Sequence, residues 1–234
     1  MEGVPSYSCV MRAAWYERQG RASDVLVIGE MPRPIAGPGE VRIRVAASGI
    51  NPGDVKKRED TFGIGMPYPR VIPHSDGAGM IEAAGAGVAP SRMGERVWCY
   101  GAQSYRPFGT AAEYVVVPSE QAVRLPDNVS FEQGACLGIP GITGYRAVEV
   151  AGPLEGRTVL VQGGAGAVGQ SAIALARRAG ARVLATVRSS TDAAIAERAG
   201  AQDVIDVSDL DVDAVVERLR ALAVDGVDHI VEVA

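Results

Sequence analysis

A β-branched run followed at once by a glycine-rich segment constrains the folding of this chain more than any other stretch. Residues 158–161 read TVLV, residues 163–169 read GGAGAVG, and the residues from there to Gly180 are rich in Ala, Ile and Leu. β-branched residues favour strands, glycines allow tight turns, and Ala and Leu favour helices. The sequence therefore predicts a strand, a tight turn and a helix in immediate succession.

The glycines of this turn have a spacing with a chemical meaning. Gly164, Gly166 and Gly169 satisfy the pattern G-x-G-x-x-G between the predicted strand and helix. In that context the first glycine permits the turn, the second lets a diphosphate approach the backbone, and the third lets the helix pack close to the strand. The alternative is a glycine-rich turn of an α/β protein without a cofactor. The predicted dinucleotide-binding residues are Gly163, Gly164, Ala165, Gly166, Ala167, Val168 and Gly169.

Strands and helices alternate through the rest of the C-terminal part. We predict further strands at residues 182–187, 203–207 and 228–233, separated by helices at residues 192–199 and 213–222. Alternation of this kind requires a parallel sheet with crossover helices. Residues 131–234 are therefore predicted to form an α/β domain, the first half of a doubly wound Rossmann sheet.

The pattern before this domain is different, because short β-rich runs are separated by turn signals such as Gly37-Pro38-Gly39. Helical patterns that would cover so many strands are missing from the sequence. We therefore predict a small β-barrel or folded-over sheet as a first domain of residues 1–130. The predicted strands lie at residues 10–16, 25–30, 40–47, 77–84, 95–100, 111–118 and 122–125.

Composition favours chemistry on a small molecule. The chain has 234 residues, enough for two domains, and a formal net charge of -5. This charge argues against binding to nucleic acid or to an anionic membrane surface, and no apolar run of about 18 residues would span a bilayer. Cys9, Cys99 and Cys136 lack the spacing of a disulfide framework or a zinc site, so we expect a reducing, cytoplasmic environment.

Five further segments accompany the glycine turn: residues 47–56 (ASGINPGDVK), 73–79 (PHSDGAG), 94–97 (GERV), 109–114 (GTAAEY) and 139–145 (IPGITGY). Together they resemble the zinc-free NADPH:quinone oxidoreductase (zeta-crystallin-like) branch of the medium-chain dehydrogenase/reductase superfamily. The resemblance implies a GroES-like β-barrel followed by a Rossmann domain, with a homodimer for the full-length form. Members of this family are longer, so we expect a truncated chain that lacks the C-terminal half of the Rossmann sheet.

The resemblance also implies an activity, the transfer of a hydride from NADPH to a quinone or an α,β-unsaturated carbonyl. In zinc-dependent members a Cys, a His and a second Cys hold the metal, and those positions carry Asn51, Ser75 and Ile139 here. None of these is a good zinc ligand, so we predict no metal site and expect the neighbouring His74 to be a hydrogen-bonded structural residue. Hydride addition to an acceptor that is already electron-poor stays feasible without a Lewis acid.

The end of the second Rossmann strand bears on the choice of cofactor. NAD-binding domains normally place an Asp or Glu there, which accepts hydrogen bonds from the ribose hydroxyls. This chain has Val187 followed by Arg188, Ser189 and Ser190. A guanidinium and two hydroxyls suit a 2′-phosphate that a carboxylate would repel. We therefore predict NADPH, and the alternative is that Arg188 is a solvated loop residue.

The resemblance gives roles to three further residues. Thr143 matches a position close to the nicotinamide, and its alternative role is a helix N-cap. Asn51 and Lys56 are implied to donate hydrogen bonds to the acceptor oxygen on which negative charge develops. Residues 56–58 form a cationic run, of which we expect two members to be merely solvated. The candidate aromatic contacts of a flat acceptor are Tyr68, Tyr100 and Tyr105.

Two alternatives to a quinone or enone reductase stay open. An enoyl-thioester reductase of the same superfamily uses the same hydride addition but needs a longer groove for its carrier. A non-catalytic NADPH-binding or structural protein would keep the fold without turnover, as lens crystallins of the branch suggest.

Overall fold

The structure is a computed structural model that describes residues 10–104 and 106–233. Cys9 and Tyr105, which the sequence singled out, lie outside these described ranges. The chain separates into two compact units, Met1–Ile139 and Pro140–Ala234. Among the described residues, no helix has both the length and the apolar character that crossing a bilayer requires.

Seven strands and three short α-helices build the described part of the first unit. Five strands form an antiparallel sheet in the order β6-β3-β4-β5-β7, and β1 and β2 form a separate two-stranded sheet. The larger sheet is a half-barrel, which confirms the predicted folded-over sheet. The elements are β1 (Val10–Trp15), α1 (Ala22–Val25), β2 (Val27–Pro32), β3 (Glu40–Gly49), α2 (Pro52–Arg58), β4 (Asp76–Ala84), β5 (Arg96–Cys99), β6 (Tyr114–Pro118), β7 (Ala122–Arg124) and α3 (Phe131–Ala135).

The seven predicted strands are present, with shifted ends where tertiary contacts intervene. The strand predicted at residues 25–30 begins at Val27, because Val25 ends α1 and packs with Tyr16 and Val71. On β3 the predicted alternation holds: Val41 and Ile43 are fully buried in the sheet's core, whereas Arg44 is exposed. The core of this unit is therefore the buried face of the half-barrel.

The sequence-based prediction missed α2. Asn51 immediately precedes this helix, Pro52 is its first residue, and the Asp54 carboxylate accepts a hydrogen bond from the Asn51 N–H at 2.8 Å. These are recognised helix-start signals. With seven residues, however, α2 is too short to show a periodic apolar face.

The helix α3 belongs to the first unit. It packs on β3 and β4, and Gly134 approaches the sheet so closely that a Cβ on it would lie 3.0 Å from the Ala78 Cβ. The predicted boundary between residues 130 and 131 assigned this helix to the second domain. The chain divides instead between Ile139 and Pro140, because packing on the half-barrel and not helical periodicity decides where α3 belongs.

The second unit is built on one parallel sheet in the order β10-β9-β8-β11. In chain order this is third, second, first and fourth strand, which confirms the first half of a doubly wound Rossmann sheet. The strand predicted at residues 182–187 has those bounds in the structure. The elements are α4 (Ile142–Glu149), β8 (Thr158–Gln162), α5 (Ala167–Arg178), β9 (Arg182–Val187), α6 (Ser190–Ala199), β10 (Asp203–Asp206), α7 (Val212–Leu222) and β11 (His229–Glu232).

The glycines of the turn between β8 and α5 meet different demands. Gly163 has a φ of 73°, in the left-handed region that the tight turn requires. A Cβ on Gly169 would lie 2.2 Å from the carbonyl oxygen of Gly163, so this position admits no side chain. A Cβ on Gly166 would meet only that same oxygen, at 3.3 Å. The third glycine of the motif therefore serves packing, whereas a side chain at the second would make one tight contact, to this oxygen.

This difference gives a matched pair of variants. We expect Gly169→Ala to lower the free energy of unfolding by about 1–3 kcal/mol, because the methyl group collides with backbone that cannot move independently. We expect Gly166→Ala to cost less, since only a modest helix-cap preference is lost. Urea unfolding of both variants measures the difference, and equal midpoints for the two would contradict this assignment.

Candidate active site

An open cleft of about 390 Å³ lies at the carboxyl ends of the parallel strands in the second unit. Ligands of open α/β sheets bind at this edge. The glycine turn, the end of β9 and the start of α6 all contribute to its surface, and we call it the strand-end cleft. Its lining residues are Gly163, Ala165, Gly166, Thr186, Val187, Arg188, Asp192, Val207 and Val233.

The start of α5 supplies hydrogen-bond donors beside this cleft. Gly166 caps the helix, and its own N–H donates to the Gly163 carbonyl at 3.0 Å. The N–H groups of Ala167, Val168 and Gly169 belong to the first turn, which has no intrahelical acceptors. Free donors and the positive end of the helix dipole suit a phosphate group. Because Gly166 also leaves space for it, the turn fits the diphosphate of a dinucleotide.

Arg188 and two serines stand where the sequence placed them, directly after β9. Val187 is the last residue of that strand, Arg188 is exposed, and Ser190 is the first residue of α6. The helix begins before the predicted residue 192, because the Ser189 hydroxyl caps it by accepting from the Asp192 N–H at 3.1 Å. The structure thus brings Arg188 to the same cleft as the glycine turn.

Asp192 is a cleft residue that the sequence-based prediction missed. Its carboxylate contributes a negative charge to the surface that also carries Arg188. The only signal in the sequence was the capping pattern, an Asp three residues after a Ser, which describes a helix start and not a ligand site.

Thr143 is exposed and lies in the first turn of α4. The alternative prediction, that Thr143 caps this helix, is wrong, because α4 begins at Ile142 and Gly141 is the N-cap. Gly144 packs against the start of α5 so closely that a Cβ on it would lie 2.7 Å from the Ser171 Cβ. This packing keeps Thr143 near the helix whose N-terminus faces the strand-end cleft.

A second cavity, of about 350 Å³, lies within the first unit and contains Lys56 in its wall. We call it the lysine cavity. Tyr68, a predicted aromatic contact, lines it, whereas Tyr100 does not and instead lies 5.9 Å from the Trp98 ring. The lining residues are Tyr16, Gln19, Lys56, Lys57, Asp60, Phe62, Ile64, Gly65, Met66, Pro67, Tyr68, Val71, Gln103 and Ser104.

The cationic run at residues 56–58 is less solvated than expected. Lys56 is exposed, but the Lys57 ammonium donates to the Gln103 side-chain oxygen at 3.0 Å. Arg58 is buried and donates to the carbonyl oxygen of Gly20. The expectation that two of the three cations are merely solvated is therefore wrong, because α2 packs one side of the run against the rest of the unit.

Asn51 is buried, and its side chain is bound to a carboxylate. Its amide Nδ2 donates to Asp76 Oδ2 at 2.7 Å, and the Ile139 N–H donates to the same oxygen at 2.7 Å. Asp76 is fully buried at the start of β4. Asn51 keeps its second amide hydrogen for another acceptor. Asp76 thus connects α2, β4 and the end of the first unit.

His74 ends a chain of hydroxyl hydrogen bonds. The Thr110 hydroxyl donates to the Asp76 carbonyl at 2.5 Å, Ser48 lies 2.8 Å from Thr110, and His74 Nδ1 lies 2.9 Å from Ser48. With one proton on each hydroxyl, Ser48 donates to Thr110 and accepts from His74, so Nδ1 carries a proton. Burial lowers the pKa of His74, and the charge of Asp54 opposes that change. His74 is hydrogen-bonded, as expected of a structural residue.

The residues at the three zinc-ligand positions do not fit zinc. Asn51 and the Ile139 backbone are both bound to Asp76, and the third position is a serine hydroxyl, Ser75. Zinc prefers thiolate, imidazole and carboxylate ligands in tetrahedral groups. Within residues 10–104 and 106–233, no cluster of three His, Cys, Asp or Glu side chains has the geometry to hold a metal ion.

Burial changes the acidity of two carboxyl groups in this region. It raises the pKa of Asp76 above the ordinary 3.8, although the hydrogen bonds from Ile139 and Asn51 act in the opposite direction. It raises the pKa of Asp54 as well, against the hydrogen bonds from Asn51 and the charges of His74 and Lys57. Each buried carboxyl group is therefore easier to protonate in the folded protein than in the unfolded chain.

The Asp76→Asn variant tests the ionisation of one of these groups. Its amide oxygen can still accept the hydrogen bonds from Asn51 and Ile139, but the side chain cannot ionise. A raised folded-state pKa means that the stabilising contribution is present below the ordinary 3.8 and is lost as the pH rises through the folded-state value. We therefore expect the melting temperature of the wild type to fall relative to that of Asp76→Asn as the pH rises from about 4 through the folded-state pKa of Asp76. A difference that stays constant across this range would contradict the raised pKa.

Both units contain segments that match models of known protein families. A family model described as alcohol dehydrogenase GroES-like domain matches residues 37–127, and one described as zinc-binding dehydrogenase matches residues 167–234. The quinone oxidoreductase of Rattus norvegicus is 38% identical over 153 residues, which cover 64% of this chain and 44% of the relative. That of Homo sapiens is 34% identical over 178 residues, or 76% of this chain and 53% of the relative.

A mycobacterial protein solved as a complex with NADPH has a similar structure. Its TM-score is 0.80 at 29% identity, over 94% of this chain and 66% of that chain. The chain spans about half the length of the curated relatives it matches.

Proposed function

Because the chain belongs to the medium-chain dehydrogenase/reductase superfamily, in its quinone oxidoreductase branch, we propose that it transfers a hydride from NADPH to a quinone or an α,β-unsaturated carbonyl without zinc. The observation that carries the proposal is the strand-end cleft, where the glycine turn and Arg188 line one surface. When bound, NADPH supplies the hydride.

Arg188 is the residue that favours NADPH over NADH in this proposal. A 2′-phosphate carries up to two negative charges, and the guanidinium can bind it through two parallel hydrogen bonds. Ser190 is exposed beside Arg188 and Ser189 can still donate its hydroxyl proton, so both add donors. Asp192 acts in the opposite direction, because its carboxylate repels the phosphate. A mycobacterial relative solved with NADPH supports the same choice.

Lys56 is the residue that we expect to stabilise the reacting acceptor. When hydride adds to a quinone or to the β-carbon of an enone, the displaced electron pair moves onto the carbonyl oxygen. The exposed Lys56 ammonium, which makes no ion pair with a described residue, donates a hydrogen bond to this oxygen, and Asn51 offers its second amide hydrogen. A proton from solvent then completes the hydroquinone or the saturated ketone.

Zinc independence is part of the proposal, and the side chains at the three ligand positions support it. The Asn51 side chain and the Ile139 backbone N–H both donate hydrogen bonds to the Asp76 carboxylate. Two of the positions that hold zinc in other members therefore carry hydrogen-bond donors to Asp76 instead of metal ligands. The acceptor must then be activated by its own conjugation, which restricts the substrate class to quinones and conjugated carbonyl compounds. The homodimer of the full-length form and the cytoplasmic location stay predictions.

Cofactor preference tests the assignment of the cleft. We expect Arg188→Ala to weaken NADPH binding by about tenfold or more, with NADH affected less than about twofold, because only NADPH carries the 2′-phosphate. Asp192→Asn removes the opposing charge and should strengthen NADPH binding by a few-fold. Calorimetric titration measures both dissociation constants. If neither variant changes the ratio of the two affinities, Arg188 does not bind the phosphate.

An acceptor screen tests the activity. We expect NADPH oxidation with a quinone and with a short enone but not with a crotonyl thioester, and Lys56→Met should reduce turnover by about tenfold or more. Lys56→Arg keeps a cationic donor and should restore part of the rate. Reduction of the thioester alone would favour the enoyl-thioester reductase, and NADPH binding without reduction of any acceptor would favour a non-catalytic protein.

A further inference from the structure

The lysine cavity contains every lysine of the chain. Lys56 and Lys57 are the only lysines in the sequence, and both line this cavity. Apart from the histidines, all other basic side chains are arginines. Lysine differs from arginine in presenting a compact charge with three donors that rotate freely. Both residues line the cavity although they are adjacent on α2, so its wall carries two separate lysine side chains.

Lys57 is held in place by neutral partners. Its ammonium donates to Gln103 Oε1 at 3.0 Å, and Gln103 is buried, with its Nε2 donating to the Arg106 carbonyl at 3.3 Å. The orientation of the glutamine amide is therefore fixed, with its oxygen toward Lys57. The Lys57 carbonyl accepts from Gln19 at 2.9 Å, which anchors its backbone as well. Two of the three ammonium hydrogens remain for a ligand.

The acid in the same cavity, Asp60, is bound to backbone and not to these lysines. Asp60 Oδ1 accepts hydrogen bonds from the N–H groups of Ile64 and Gly65, at 2.9 and 3.0 Å. Its carboxylate thereby organises the loop that closes the cavity. Among the described residues, neither Lys56 nor Lys57 forms an ion pair. The two lysines outnumber the one acid that lines the cavity, so its wall carries net positive charge, although the charge of Lys57 also acts on the Asp54 carboxyl group.

The rest of the wall suits a flat, apolar molecule. Tyr16, Phe62 and Tyr68 contribute three aromatic rings, and Met66 and Val71 contribute aliphatic surface. Aromatic rings pack favourably on planar conjugated ligands. A volume of about 350 Å³ is at the small end of ligand pockets, which favours a compact ring system over an acyl chain on a carrier.

We propose that Lys57 is a specificity-determining residue for quinones: Lys56 and Lys57 together bind an acceptor that carries two oxygens on one planar ring system. This inference rests on the proposed function and selects between its two acceptor classes. A quinone offers one carbonyl oxygen to each lysine. A simple enone has one oxygen, which Lys56 binds without help from Lys57.

Steady-state kinetics of Lys57→Met distinguish the two classes, because methionine has similar length and no charge. With 1,4-naphthoquinone we expect the KM to rise by about tenfold or more, the effect of losing a hydrogen bond from a charged donor. With 2-cyclohexenone we expect kcat/KM to change by less than about twofold. Equal losses on both acceptors, or no loss on the quinone, would overturn the inference. A Lys56→Met variant with unchanged kinetics on both acceptors would also overturn the inference, because the proposal requires both lysines to bind the quinone.

A binding measurement that needs no turnover completes the test. The two lysines are readily distinguished by mass spectrometry after partial acetylation of the intact protein. Without NADPH, we expect 1,4-naphthoquinone to slow acetylation of both Lys56 and Lys57, and 2-cyclohexenone to slow that of Lys56 alone. Acetylation of Lys57 at an unchanged rate with the quinone would overturn the inference, even if the protein reduced no acceptor.

Discussion

The contact between Gly169 and the carbonyl of Gly163 is the constraint on which the second unit and its cleft depend. It brings the first turn of α5 against the end of β8, where a single methyl group would collide at 2.2 Å. Gly164 also lies close to β9, since a Cβ on it would lie 2.8 Å from the Ala185 Cβ. Strand, turn and helix therefore pack without side chains between them at these glycines. The free N–H groups of the first turn of α5 lie beside the strand-end cleft.

The first unit depends on a buried carboxylate in a comparable way. Asp76 receives hydrogen bonds from the side chain of Asn51 and the backbone of Ile139 through one oxygen. A Cβ on Gly138 would lie 2.1 Å from the other oxygen, so that glycine is needed for the chain to pass. Burial makes this group costly to ionise, and the two hydrogen bonds offset part of that cost. The position of Asn51 is fixed as a result.

The sequence was sufficient where local patterns decide the structure. Alternation of apolar and charged residues predicted β3, and the β-branched run before the glycine turn predicted β8. Residues Val187 and Arg188 stood at the end of β9 because a strand's end can be found from the residues within it. The glycine motif likewise identified Gly163, Ala165 and Gly166, which line the strand-end cleft, since its spacing reflects geometry within one strand–turn–helix unit. Gly164, Ala167, Val168 and Gly169, predicted with them, are not among the residues that line it.

The sequence was insufficient where residues distant in the chain meet. Lys57 contacts Gln103, 46 residues away, so the pattern of three adjacent cations could not reveal that one of them is bound in a cavity wall. Asp192 meets the glycine turn in the strand-end cleft, although the whole of α5 and β9 separates them in the chain. The place of α3 depends on contact with β3 and β4, which only the folded half-barrel provides.

NADPH binding by the Gly166→Ala variant tests the central claim, which is that the turn between β8 and α5 binds the diphosphate of the cofactor. The added methyl group fits the free protein but would occupy the space that the ligand needs. Calorimetric titration should show NADPH binding weakened by about tenfold or more, with circular dichroism and the melting temperature close to those of the wild type. An unchanged dissociation constant in this variant would show that the diphosphate binds elsewhere.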